Sequence, residues 1–513
     1  MKICSFSPFG YEGCLVSVEV DLRRGIPGID MVGLADGAVR ESRERMRSAI
    51  LNSGLDFPPE RVLISLSPAD VKKEGSGFDL AIALAVLSAA AKELVFPSDP
   101  ILVMGELELS GSIRAVRGVH AAAATAAEHG ITRCIIPSAN RREAQAVSDM
   151  SVFAADTLEQ AFNALTAPLA FEPPASQTPA RTPRTDIVRF PPVTPETEYA
   201  QVAGQAQLVR ALQIAAAGAH NIIAYGPPGC GKTLSMMRFP GLLPLLTEAE
   251  ARPVSRIRSL AGLAIGDGQH MYQAPFRTPH QSASLEGIVG GGSQCRPGEI
   301  SLAHNGALFL DEAAEFKPQT LQALRVPLES GNITLSRAGR NTTYPAKFQL
   351  LMAANPCPCG NFGAKDKVCL CGARTVEHYW KKFSAPLLDR IDIRVSLLSA
   401  AQPDDGGGEA AATTAQLRAG IARAVACQRS RSGERNSRIA SEDIERLCPL
   451  TAEARQLLAA AAKTYAFSPR AVSSCIKLSR TIADMESSET IHSVYMEEAV
   501  SLRKNEGGVS LCF

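Results

Sequence analysis

The sequence predicts a multidomain α/β protein, with a parallel-sheet nucleotide module between an α/β segment and a helical C-terminal segment. Three observations predict it. A glycine-rich loop, Gly226-Pro227-Pro228-Gly229-Cys230-Gly231-Lys232-Thr233, follows the apolar run Asn221–Tyr225 and precedes a helix-forming stretch, Leu234–Phe239. A second apolar run, Ala307–Leu310, ends in the carboxylates Asp311 and Glu312. The 513 residues also exceed what one core organises, so roughly two to four domains are expected.

Residues 1–170 alternate strand and helix patterns. Leu15–Leu22 and Arg61–Ser67 read as strands, Ala38–Ser53 and Phe78–Ala91 as helices, and Ile101–Val116 as a hairpin around Ser110-Gly111. Val119–His129 reads as an Ala-rich helix and Thr132–Pro137 as a strand. Residues 171–197 carry many Pro, Thr and Ser residues without periodicity and read as a linker. The nucleotide module spans 198–398, a Gly-rich joint holds Asp404–Gly408, and 413–505 is helical in pattern.

Composition narrows the class. Hydrophobic content of 45% and charged content of 20% fit a globular protein. A net charge of +1 excludes nucleic-acid binding by bulk charge, so any such binding needs a local basic surface. The N-terminal residues lack a signal-peptide core, and the apolar stretch Leu80–Ala91 is too short to span a bilayer. Thirteen cysteines without a signal peptide point to reduced thiols in the cytoplasm, with no membrane partner.

Chemistry concentrates in the middle of the chain. In the Gly226–Thr233 loop the glycines let backbone N–H groups turn toward an anion, and the following helix points its positive end there. Lys232 reaches β/γ phosphates and Thr233 holds Mg²⁺ in such a loop. Asp311 adds a metal-binding carboxylate, and Glu312 can polarise the attacking water. The pair favours ATP hydrolysis over nucleotide binding alone. Leu350–Ala354 reads as a buried strand that ends in Asn355, either a water-orienting amide near the γ-phosphate or a cap.

Arg390, in Ser384–Asp392, sits at a module edge and either reaches a neighbouring subunit's nucleotide or pairs with Asp389 or Asp392. Arg470, at the start of a C-terminal helix, either touches the same nucleotide or lies exposed. Ile333–Pro345 reads as a hairpin turning at Gly339, with Arg337 and Arg340 at a tip that is either solvated or lines a pore and binds phosphates. Gly287–Ser293 is too glycine-rich for a regular element and, with Pro275–His280 before it, reads as a mobile insertion between the two phosphate motifs, either a linker or a moving substrate-contacting loop. Cys357, Cys359, Cys369 and Cys371 form two C-x-C pairs that either hold Zn²⁺ in a stapled loop or are free thiols.

These motifs in this order, with Phe276–Ser284, Pro297–His304, Asn355–Gly360 and Pro386–Asp392, resemble the ComM/YifB family of AAA+ ATPases related to the magnesium-chelatase ATPase subunit. Val32–Asp36, Lys73–Leu80, Gly105–Leu107 and Arg480–Asp484 extend the resemblance over nearly the whole chain. It implies a Lon-protease-like α+β N-terminal domain, an AAA+ module and a helical C-terminal lid. It assigns Asn355 as first sensor, Arg390 as an arginine finger acting in trans and Arg470 as second sensor. It further implies ATP and Mg²⁺ as cofactors, a homo-hexameric ring with the arginine hairpin in its pore, and DNA, single-stranded or branched, as partner. ComM-like proteins are helicases that promote branch migration in DNA recombination during natural transformation, alongside recombination proteins.

The Lon-like resemblance does not extend to proteolysis. Gly77 stands where the nucleophilic serine belongs, one residue from Ser76, and His120 stands where the lysine base belongs. Gln281 replaces a usual histidine, and Ser473-Ser474 a usual His-Arg pair, which bears on C-terminal DNA contacts. The main rival reading is a chelatase-type ATPase that remodels a protein partner.

Overall fold

The computed structural model describes all residues except 1, 35, 70, 72, 74, 92, 168–169, 175–186, 264–271, 338–339, 363–366, 398–410 and 505–513. The joint at 404–408, the hairpin turn at Gly339 and much of the linker therefore lie outside the described residues.

The first unit is a seven-stranded mixed sheet. Its strand order is Gly28–Val32, Arg61–Ser67, Cys14–Arg23, Ile3–Ser7, Ile101–Val103, Arg133–Pro137 and Ser151–Ala155. Cys14–Arg23 runs antiparallel to both neighbours, and the other pairings are parallel. The helix Gly37–Asn52 starts where Asp36 accepts the Val39 N–H at 2.8 Å. The helix Asp79–Ala90 has nine consecutive buried residues because it is sandwiched between the sheet and its neighbouring helices. The expected hairpin is smaller than its sequence span: Ile101–Val103 belongs to the main sheet, and only Glu106–Leu107 pairs with Ile113–Arg114.

The second unit is a five-stranded, all-parallel sheet in the order Phe276–Arg277, Ala307–Leu310, Gln349–Ala354, Ile222–Tyr225, Ile393–Ser396. Every residue of its three central strands is buried, as helices on both faces require. Gly287–Ser293 is more regular than its composition suggests. Ser284 caps a short helix, Leu285–Val289, and Gly290-Gly291 pairs antiparallel with Arg296-Pro297.

The helices Thr414–Arg431, Ala452–Thr464, Pro469–Met485 and Ser493–Arg503 follow. The first, third and fourth of these share a core with Ala206–Gly218 of the nucleotide unit, in which Leu417, Ile421, Leu478 and Ile482 meet Leu212 and Ala215, while Ala452–Thr464 packs in a separate cluster with Ile444 and Met496.

The first two units also share one continuous core, from Phe6 and Val119 through Ile257 to Leu350 and Trp380. Arg256, on the helix Glu248–Ala261, ties them together. It donates to Tyr11 O (3.0 Å), Glu12 O (2.7 Å) and Thr125 Oγ1 (2.9 Å) and stacks over the Tyr11 ring. His120 lies at this seam. Its Nδ1 meets Glu143 O at 3.2 Å, and burial pushes its pKa down to about 4. Ser76 Oγ donates to Glu106 at 2.5 Å.

Candidate nucleotide site

The phosphate loop joins the strand Ile222–Tyr225 to the helix Lys232–Met237. Gly229 and Gly231 adopt φ of 83° and 80°, which L-residues with a Cβ avoid. Gly226 N–H donates to Ala354 O (3.3 Å), tying the loop to the end of the neighbouring strand. Lys232 Nζ lies inside the loop, 2.6 Å from Gly226 O and 2.8 Å from Pro227 O.

The strand order places Gln349–Ala354 between the phosphate-loop strand and the acidic strand. All three end at the same edge of the sheet, so Thr233, Asp311 and Asn355 converge although the chain separates them widely. Thr233 Oγ1 donates to Asp311 Oδ1 at 3.1 Å. A hydroxyl beside a carboxylate is a hard oxygen set that fits Mg²⁺. Glu312 adopts φ 48°, a left-handed conformation that costs about 1 kcal/mol or more for a non-glycine residue. Its carbonyl accepts the Glu315 N–H at 2.7 Å, which closes the turn. Asn355 is half-buried and its backbone bonds Tyr379, whose phenol pKa burial raises.

Arg390 lies at the other end of the sheet. It precedes the strand Ile393–Ser396, whose Ile393 pairs with Ile222 at the start of the phosphate-loop strand. Asn221 Nδ2 anchors Arg390 O at 2.9 Å. A four-residue strand, about 13 Å long, therefore separates Arg390 from the edge that carries the phosphate loop. Its guanidinium does not pair with Asp389 or Asp392. It bonds Pro386 O (2.7 Å) and the carboxylate of Glu329, to which Arg470 Nη1 also donates at 3.3 Å. The bond from Arg390, reinforced by both positive charges, holds the Glu329 carboxyl below the usual range. Asp389 and Asp392 instead accept from Ser468 and Ser474 of the C-terminal helices.

Glu329 was not legible in the sequence. Gly331 signals a helix end beside it, but its partners lie 61 and 141 residues away.

Asn332–Arg337 and Arg340–Pro345 form an antiparallel hairpin in which Arg337 pairs with Arg340 in register, and Arg337 is exposed. The base of the hairpin is gripped by the first unit: Tyr11 N–H donates to Thr342 Oγ1 at 2.9 Å, and the Tyr11 and Tyr344 rings meet edge-on.

The cysteine loop follows Asn355 directly. The sulfurs of Cys357, Cys359, Cys369 and Cys371 all lie within 4.8 Å of one another. No helix among the described residues is long and apolar enough to cross a membrane.

Comparison with known proteins agrees with this geometry. Family models described as "Magnesium chelatase, subunit ChlI", "Subunit ChlI of Mg-chelatase" and "Magnesium chelatase, subunit ChlI C-terminal" match residues 198–404, 18–140 and 411–503. The chain is 42% identical over 427 residues to an uncharacterized protein of Mycobacterium tuberculosis, covering 82% of each. It is 38% identical over 495 residues to the uncharacterized protein YifB of Escherichia coli, covering 95% of this chain and 94% of the relative. It is 37% identical over 511 residues to competence protein ComM of Haemophilus influenzae, covering 98% and 97%. Fold and site together define a magnesium-chelatase-like AAA+ protein. Within that class, relatives that align end to end decide the assignment: the chain belongs to the ComM/YifB family.

Proposed function

We propose that this chain is an ATP-hydrolysing ring motor that acts on DNA, a ComM-like helicase promoting branch migration in recombination and natural transformation. The contact that carries the ATP site is Thr233 Oγ1 to Asp311 Oδ1 at 3.1 Å. Lys232 and the loop amides would hold the β and γ phosphates, and Thr233 and Asp311 would hold Mg²⁺, which would neutralise phosphate charge when bound. Glu312 takes the proton of the attacking water, and Asn355 orients that water.

The position of Arg390 and Arg470, at the sheet end opposite the phosphate loop, supports a role on the nucleotide of an adjacent copy. Hydrolysis then depends on assembly, for which we propose a homo-hexamer in the cytoplasm. Arg337, which is exposed, and its register partner Arg340 bind DNA phosphates in the ring's centre. The first unit acts as a scaffold or DNA-binding domain rather than a protease, since Gly77 stands at the nucleophile position and His120 at that of the lysine base.

Turnover and strand displacement on single-stranded, forked and branched DNA test this reading. The motor reading requires turnover stimulated by DNA and displacement that depends on ATP. The three magnesium-chelatase family models favour a second reading, an ATPase that remodels a protein partner. Turnover indifferent to every DNA would select it.

A further inference from the structure

Four cysteines from two C-x-C pairs meet in one loop. Cys357 Sγ lies 3.3 Å from Cys359 Sγ and 3.7 Å from Cys369 Sγ, and the last two are 3.6 Å apart. Disulfide sulfurs would be about 2.05 Å apart, so these are thiols. A tetrahedron with metal–sulfur bonds of about 2.3 Å has edges of about 3.8 Å, close to the spacings found. A backbone amide points at the cluster: Phe362 N–H donates to Cys357 Sγ at 3.4 Å.

Two apolar side chains of the loop face away from the core. Val368 and Leu370, on either side of Cys369, are 78% and 90% exposed. Only the cysteines of the second C-x-C pair turn inward, where Cys369 and Cys371 pack against the core that holds Cys357, so the apolar side chains beside them add nothing to this anchoring and a metal would add to it.

The loop also touches the nucleotide site. It begins at Asn355, and Pro356 O accepts from Trp380 Nε1 at 3.1 Å. Trp380 meets the Tyr225 ring edge-on at 5.4 Å, at the root of the phosphate loop. Gly360 presses so closely on Pro228 that a Cβ there would lie 2.9 Å from Pro228 Cδ. Anything that fixes Cys357 and Cys359 thus bears on both Asn355 and Pro228.

We propose that Cys357, Cys359, Cys369 and Cys371 bind one Zn²⁺ as a tetrathiolate, and that this centre braces Asn355 and the phosphate loop for nucleotide binding. Four thiolate ligands at tetrahedral spacing select Zn²⁺ over hard cations. The bracing role rests on the ATP-site reading above; the metal site does not.

The test uses the full chain purified without chelator. Metal analysis is expected to find one zinc per chain, and Co²⁺ substitution to produce thiolate charge-transfer absorption. Cys371→Ala should lose the metal and bind a fluorescent ATP analogue at least about tenfold more weakly. Cys371→His should recover both, because a three-cysteine, one-histidine set also holds Zn²⁺, whereas a merely structural cysteine predicts no rescue by histidine. Lys232→Ala should keep its zinc while losing the nucleotide, which separates failure of the ATP reading from failure of the metal reading. Substoichiometric zinc without Co²⁺ absorption would overturn the site. Full zinc in wild type, with unchanged nucleotide affinity in Cys371→Ala, would overturn the bracing role.

Discussion

Thr233 Oγ1 and Asp311 Oδ1 lie 3.1 Å apart although 78 residues separate them. The parallel sheet ends the strands before them at one edge, and the strand Gln349–Ala354 between those two brings Asn355 to the same edge. The arginines of the same chain, Arg390 and Arg470, gather at the opposite edge around Glu329.

Lys232→Ala is expected to abolish ATP binding, since no other cation stands inside the loop to meet the phosphates. Glu312→Gln should bind ATP normally and stop turnover, because the amide cannot accept the water's proton. Equilibrium binding and single-turnover phosphate release distinguish the two. Normal turnover in Glu312→Gln would refute the base assignment.

Arg390→Ala is expected to lower turnover by about 10³-fold or more, the usual loss when an arginine finger is removed. Mixing Arg390→Ala with Glu312→Gln chains should restore part of the activity, because an intact phosphate site then faces an intact arginine. If the mixture stays as inactive as its components, action across subunits is wrong.

Arg337→Ala combined with Arg340→Ala should weaken DNA binding and flatten the slope of log affinity against log salt by about two units. Titrations at several salt concentrations measure it. An unchanged slope would remove phosphate contacts from the hairpin.

Arg256→Ala removes three hydrogen bonds and the stacking on Tyr11. It should destabilise the protein by roughly 2–4 kcal/mol, because the carbonyls of Tyr11 and Glu12 lose a charged donor. Chemical denaturation should detect the loss as a lower midpoint. A midpoint equal to wild type would mean that the seam does not depend on this residue.

His304 Nδ1 accepts the Lys347 N–H at 3.0 Å, so the folded ring is neutral there. Burial, with the charges of Arg438 and Lys347, pushes its pKa down to about 3. The unfolded chain then binds the proton more readily, so the stabilising contribution is full above the ordinary histidine pKa and is lost as pH falls from there toward 3. Between pH 6.5 and 5 the loss is roughly 2 kcal/mol. His304→Gln should abolish this part of the pH dependence in thermal melts; parallel curves for the two proteins would contradict it.

Much of the fold was legible because its signals are local. The apolar runs before Gly226 and before Asp311 are strands, and Arg61–Ser67 has the bounds its alternation suggests. Gly287–Ser293 was misread, since glycines that prevent a regular element in isolation can still pair when a partner such as Arg296-Pro297 is brought alongside. The hairpin at 101–116 was overextended because Ile101–Val103 finds a better partner in Ile3–Ser7, almost one hundred residues earlier.

By itself the sequence determined the chemistry available: which residues can grip phosphate, hold a cation, take a proton or bind a metal through sulfur. These follow from side-chain type and from spacing within a dozen residues, where backbone geometry leaves few choices. Only the tertiary structure decided which of those residues share a site. It set Asn355 beside the phosphate loop, sent Arg390 and Arg470 to the far edge with Glu329, and pinned the base of the hairpin to Tyr11. Each of these meetings depends on sheet order and on cores that join distant segments, and no local pattern encodes the partner across such a distance.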